Sequence, residues 1–222
     1  YVESAPPNLY SNTFTAIALV NGAGVQVVGA DIVATRGGVA DVFVLQYTLD
    51  GLTLSYDFDD DPASYNWLSG LAPTPGTWAF AAIAIGPTAA SLYMDDSLGG
   101  GLQTAVNVLN ATGMAMETPF WIGADASTSF KNLRNFNGQI DEVAYFKRTL
   151  SPAEIQLIHD VLYFGPVTLT VSKDPSGVTL TWSRGTLESA PTVSGPWADE
   201  GSAISPYQPG IAGTQKFFRV KL

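Results

Sequence analysis

The sequence predicts an all-β protein, a sandwich or barrel carrying one short helix, followed by a small second β domain. Three observations carry this. Short runs with bulky apolar residues at alternate positions recur over residues 1–150, and turn residues separate them at steady intervals. One stretch alone has both the caps and the periodicity of a helix. Of the 222 residues, 46% are hydrophobic and 14% charged, so the chain can bury a sizeable core and lacks the composition of disorder.

The first long strand is expected at Phe14 to Val20, closed by the turn pair Asn21-Gly22. Further strands are expected at 25–28, 31–35, 42–48, 52–58, 78–85, 90–94, 119–122 and 140–146. Arg36-Gly37-Gly38, Asp50-Gly51, Pro73-Thr74-Pro75-Gly76, Gly86-Pro87 and Gly99-Gly100-Gly101 punctuate them. The helix is placed at 152–163. Ser151 caps it, Pro152 takes its first position, and Glu154 completes a capping box. Leu150 and Ile155 sit where a hydrophobic staple needs them, and Ile155, Ile158 and Leu162 repeat on one face. Gly165-Pro166 ends it. Strands at 167–172, 178–182, 185–189 and 216–221, with a turn at Asp174-Pro175-Ser176-Gly177, set a small β domain at 166–222 apart from 1–165.

Composition narrows function. Ten basic residues against twenty acidic ones, a net charge of -10, exclude nucleic-acid binding by phosphate neutralisation. The absence of cysteine excludes disulfides, thiolate metal sites and a cysteine nucleophile. The single histidine, His159, excludes a His-rich zinc site and reads as a surface or helix C-terminal residue. No apolar run reaches the roughly eighteen residues of a transmembrane helix. Few charges and many Thr, Ser, Asn and Gly suit an extracellular bacterial β-protein. A chain opening at Tyr1 suits a removed signal peptide or an excised module.

Phe136-Asn137-Gly138-Gln139-Ile140-Asp141-Glu142-Val143-Ala144-Tyr145-Phe146, continuing through Arg148, Leu150-Ser151 and Glu154-Ile155, carries a resemblance. It resembles the closing signature of laminin-G-like, concanavalin A-like jelly-roll domains. Trp78-Ala79-Phe80, Ala90 to Met94 and Trp121 to Asp125 are similar to inner strands of that family, so the likeness spans residues 1–160. The implied fold is a concanavalin A-like jelly-roll β-sandwich. Two departures stand out: Ala18-Leu19 replaces the Ala-Trp of many relatives, and relatives begin with a further strand beside the closing one. The second implies an open sheet edge along 140–146. The tail resembles a short β module of large secreted bacterial proteins through Gly177 to Trp182, Leu187 to Ala190 and Lys216 to Val220, with no implied activity.

Jelly rolls of this kind include sugar binders and glycosidases, so the carboxylates decide between them. A glycosidase needs two carboxyl groups on one face, about 5 to 9.5 Å apart. No E-x-D-x-x-E motif exists, every glutamate is isolated, and Asp141 and Glu142 should point to opposite faces. No catalytic residue is assigned, and the protein reads as a non-enzyme. The resemblance implies Asp141 as a ligand of a structural Ca²⁺; the plainer alternative has it capping loop amides or pairing with Arg148 or Arg134. Asp60, in the acidic run Asp57 to Asp61, is a weaker calcium candidate. Tyr65, Asn66 and Trp67, with Asp59, combine aromatic faces with amide and carboxylate groups, the chemistry that holds a sugar. For Trp67 the alternative is core packing, and Trp78, Trp121 and Trp182 are expected in the core.

The expected function is therefore a non-catalytic carbohydrate-binding or adhesive module of a secreted or cell-surface bacterial protein, with a polysaccharide or glycan as partner. The alternative is a structural subunit of an extracellular filament or surface layer. In that reading the open edge takes copies of the protein itself or a neighbouring strand.

Overall fold

The computed structural model describes all residues except 38–41, 97–100, 126, 128, 131–132 and 211–214, so Gly38, Gly99 and Gly100 of the expected turns lie outside the described residues. The chain forms two compact units, Tyr1–His159 and Asp160–Leu222.

In the first unit the strands are β1 (Val2–Glu3), β2 (Leu9–Ser11), β3 (Phe14–Gly22), β4 (Asp31–Arg36), β5 (Val42–Tyr47) and β6 (Leu54–Phe58). After the short helix α1 (Pro62–Tyr65) come β7 (Ala79–Ile85), β8 (Ala89–Asp95), β9 (Gln103–Val108), β10 (Met114–Met116), β11 (Trp121–Ile122) and β12 (Gly138–Phe146). They build two five-stranded sheets, ordered β1-β11-β4-β5-β6 and β12-β3-β7-β8-β9, with β10 and β2 as a separate ribbon.

Alternation fills the space between the sheets. Phe14, Ala16, Ala18 and Val20 of β3 point inward, as do Ala79, Ala81, Ile83 and Ile85 of β7. Phe43, Leu45 and Tyr47 of β5 and Leu54, Tyr56 and Phe58 of β6 join them in one cluster. Alanines on one sheet make room for rings from the other, so the layers interdigitate at the spacing of packed sheets. Leu19, where relatives carry the tryptophan, lies outside this cluster and is partly exposed.

Residues 25–28 do not form the expected strand. Val25, Val27 and Val28 are exposed, while Gln26 is buried and holds the segment through its side chain. Gln26 Nε2 donates to the Gly24 and Asn137 carbonyls, both at 3.0 Å, and Oε1 accepts from Asn137 N at 2.8 Å. One buried amide thus takes the place of a ladder. Gly51 supports the same corner: its φ is +67°, and a Cβ there would stand 2.0 Å from the Gln26 carbonyl oxygen. Gly51→Ala is expected to cost at least about 1–2 kcal/mol from the left-handed backbone alone, read as a lowered urea midpoint.

Two tryptophans are also less enclosed than expected. Trp78 is 37% exposed. Trp121 is partly exposed on a two-residue strand, too short to enclose it, and stacks on Tyr1 with centroids 4.6 Å apart.

Helix α2 (Pro152–Phe164) follows β12. Its capping box is formed: Ser151 N donates to Glu154 Oε2 at 2.8 Å and Glu154 N to Ser151 Oγ at 3.3 Å. Arg148 grips the same carboxylate at 2.6 and 3.0 Å, and these bonds hold the Glu154 pKa down to about 2. His159 is no surface residue. It is 1% exposed, its Nε2 lies 2.8 Å from Asp95 Oδ2, and it meets the Phe80 ring edge-on. Ile155 and His159, one turn apart, form the buried face.

The second unit contains β13 (Thr170–Asp174) paired with β14 (Gly177–Thr181), and β15 (Thr186–Ala190) between β16 (Ala198–Asp199) and β17 (Phe217–Lys221). Leu180, Trp182 and Leu187 form its core, with Tyr207, Phe218 and Val220 packed against them. Asp174 Oδ1 accepts from Ser176 N at 2.7 Å and Gly177 N at 3.2 Å, closing the first hairpin.

Candidate functional site

The residues of β4, β5 and β6 that do not enter the core face outward. Cross-strand pairing lines up Ala34, Val44 and Asp57 in one row and Asp31, Gln46 and Ser55 in another, with Arg36 opposite Val42. Ala34, Val42 and Val44 form a small apolar strip of their own. Around it lies a cleft of about 210 Å³ lined by Gly29, Arg36, Gln46, Tyr47, Leu49, Asp57, Asp60, Tyr65, Phe130 and Arg134.

The charges here are buried and linked. Asp125, fully buried, shares its Oδ2 between Arg36 Nη2 and Arg134 Nη1, each at 3.3 Å. Its Oδ1 accepts from Ser127 N at 2.6 Å. The Arg134 guanidinium lies 4.0 Å above the centroid of Phe130, which sets it flat against one wall. The Arg134 carbonyl accepts from Asp31 N at 2.9 Å, tying the loop to β4.

Two carboxyl groups sit in this setting with displaced pKa values. Burial pushes Asp57 up to about 7 against the pull of Arg36. Burial and the neighbouring Asp125 charge push Asp31 well above the carboxylate range. Asp57 Oδ1, both carboxyl oxygens of Asp31 and Arg36 Nε are buried without a hydrogen-bond partner among the described residues. Such atoms are costly unless a ligand or water meets them, and Asp57 and Arg36 both line the cleft.

Of the sugar-binding candidates, Tyr65 lies on the cleft wall together with Asp60. Asn66 is exposed at the end of α1, and its backbone N bonds back to Pro62 O. Asp59 turns elsewhere, its Oδ2 accepting from Thr112 Oγ1 at 2.8 Å. Trp67 is half-buried against the main core, edge-on to Tyr56 at 5.7 Å. Asp59 and Asp60 both have left-handed backbones, φ +59° and +53°, which carry the chain from β6 into α1.

Asp141 is exposed, and its Oδ1 accepts from Glu142 N at 2.8 Å. Its alternative arginine partners are engaged elsewhere, Arg148 with Glu154 and Arg134 with Asp125. Among the described residues no three acidic or histidine side chains gather where they could hold a metal ion. Calcium wants about six to eight oxygens, carboxylate or carbonyl, and no step below involves a metal.

Sequence reasoning missed Asp31, Arg36, Asp57, Asp125 and Arg134 as a group. The one readable signal was Asp57, an acid inside a strand of large apolar residues.

Two antiparallel sheets enclosing one core, with a polar cleft on an outer sheet face, define a lectin-like β-sandwich of the jelly-roll class. A family model described as the concanavalin A-like lectin/glucanases superfamily, Laminin_G_3, matches residues 1–156, and the chain belongs to this family. Among solved structures, a putative carbohydrate binding protein from Bacteroides ovatus is similar at 15% identity and TM-score 0.55, over 82% of this chain and 52% of that one. Domain 4 of AbnA, a GH43 extracellular arabinanase from Geobacillus stearothermophilus seen in complex with arabinotriose, matches at 13% identity and TM-score 0.52, over 70% of each chain. A heptameric SAP-like pentraxin from Limulus polyphemus matches at 13% identity and TM-score 0.50, over 75% of this chain and 76% of that one. At such identities the likeness establishes the fold. No curated protein sequence matches the chain.

Proposed function

We propose that this protein is a non-catalytic glycan-binding module whose ligand sits in the cleft beside Asp57. The observation that carries this is the make-up of the cleft, where Asp57 and Arg36, each with a buried polar atom unpartnered among the described residues, stand with the aromatic residues Tyr65 and Phe130. Rings take the C–H face of a sugar while fixed polar groups take its hydroxyls. A carbohydrate-binding description of one neighbour and a sugar-bound complex of another support the same reading. It carries with it an extracellular or cell-surface location.

Affinity electrophoresis against a panel of polysaccharides tests it. Retardation by at least one is expected, with no new reducing ends released, and Tyr65→Ala should weaken binding about tenfold, the equivalent of one lost stacking contact. A protein that no polysaccharide retards would end this proposal.

The filament reading has an edge to use, since among the described residues β12 ends its sheet with β3 as its neighbour. That edge is blunted. A bulge between Asp141 and Ala144 breaks its register, Glu142 has φ +50°, and two adjacent acids sit on it. Bulges and charges are how sheet edges resist pairing, so this favours the glycan-binding reading.

A further inference from the structure

We propose that the cleft recognises a sugar bearing a carboxylate, a uronate residue of an acidic polysaccharide, through the Arg36 and Arg134 guanidiniums. This rests on the glycan-binding reading and gives it a substrate class. The chain has only ten basic residues, and two of them stand in one cleft, with side chains 12% and 27% exposed. Both lean on a single oxygen, Asp125 Oδ2, at 3.3 Å, which is longer than the roughly 2.7–2.9 Å of a firm charge-assisted bond. Arg36 Nε is buried and has no hydrogen-bond partner among the described residues. Two planar donor forks served by one carboxylate oxygen leave N–H groups for a second, and a planar carboxylate is the acceptor that fits a fork bidentately. The Phe130 ring under Arg134 fixes the direction in which that fork is offered.

The charge balance inside the cleft permits this although the whole chain is at -10. β4 brings Arg36 and Asp31, β6 brings Asp57, the turn after it brings Asp60, and Asp125 and Arg134 come from between β11 and β12. Asp31 keeps its proton well above the usual range, and Asp57 gains one near pH 7, so neither opposes an anion in mildly acidic solution. Asp125 is spent on the arginines, which leaves exposed Asp60 as the opposing charge at the mouth. More distant acids are screened beyond about 8 Å at physiological salt.

The test is calorimetric titration at 0.15 M salt with three uronate trisaccharides (galacturonate, glucuronate and mannuronate), each against its neutral counterpart, and with one sulfated trisaccharide. At least one uronate is expected to bind ten or more times more tightly than its neutral partner. That preference should be lost in Arg36→Gln and reduced in Arg134→Lys, which keeps the charge but not the fork. Wild-type affinity for the uronate should rise several-fold from pH 8 to pH 6, because Asp57 takes up a proton while the sugar carboxylate stays ionised down to about pH 4. Asp57→Asn should abolish that rise. Melting curves of each variant confirm folding, and the wild-type pH series needs no variant. Equal or stronger binding of the neutral sugars overturns the inference and leaves the glycan-binding reading standing. A sulfated sugar matching the uronates overturns the carboxylate assignment, and no binding in any arm or to any polysaccharide overturns both.

Discussion

Asp57→Asn is expected to raise the melting temperature of the first unit at pH 8 and to flatten its dependence on pH between about 4 and 7. The Asp57 carboxyl has a folded-state pKa of about 7 against 3.8 for an ordinary aspartate, and the largest cause is burial. The folded protein therefore binds this proton more strongly than the unfolded chain does. The sign follows: stability linked to Asp57 is fully present below pH 3.8 and is lost as pH rises through about 7. At pH 8 the native state carries a buried carboxylate that Asn would not. The cost corresponds to roughly 4 kcal/mol at most, on the order of 10 °C for a domain of this size. Arg36 and Arg134, which pull the pKa down, are already inside that balance. Asp31 acts in the same direction, so some slope will remain. Thermal melts by circular dichroism from pH 4 to pH 9 check this. An Asn variant with the wild-type slope, or one less stable at pH 8, contradicts the account. Carboxyl groups displaced in this way cluster at functional sites.

The second large effect belongs to the core. Phe14→Ala should cost about 3–5 kcal/mol, the usual range for removing a fully enclosed ring. Phe14 has no exposed surface, and its ring lies 4.8 Å from Phe43, 5.8 Å from Phe120 and 5.9 Å from Tyr145. It thereby joins β3, β5, the segment before β11, and β12. Ile85 is the residue paired with Phe14 on β7, and Ala16, the next inward residue on β3, has no side chain long enough to fill the hole. Urea unfolding followed by near-UV circular dichroism gives the number, and a loss below about 1 kcal/mol would mean that the cluster collapses around the gap.

These two residues differ in how far the sequence announced them. Phe14 opens an alternating run that ends in Asn21-Gly22, and its inward face follows from pleat geometry alone. The helix at α2 was equally readable, because Ser151, Pro152, Glu154 and the Leu150/Ile155 staple act within one turn of each other. Even there His159 escaped, since its partner Asp95 comes from a distant strand. The segment at 25–28 escaped for a related reason: Gln26 bonds to Asn137, which no local pattern links to it.

The binding candidates show the same division. Residue type and loop composition pointed to Tyr65, which lines the cleft, but equally to Asn66 and Asp59, which do not. Asp57 belongs both to an expected strand and to an acidic run, and only the pairing of β5 with β6 shows it as the last outward-facing residue of β6. Arg36 and Arg134 gave no signal at all, because isolated arginines in a sequence carry no sign of what they will face.

What this sequence determined by itself is the set of things local interactions decide: strands by alternation, a helix by its caps, a sandwich by the repetition of both, and a family by its closing run. What only the tertiary structure decided is the chemistry of the cleft. A carboxyl pKa depends on the water removed from around it and on charges within a few ångströms. For Asp57 both come from the sheet face and from residues that the fold, not the chain order, brings near.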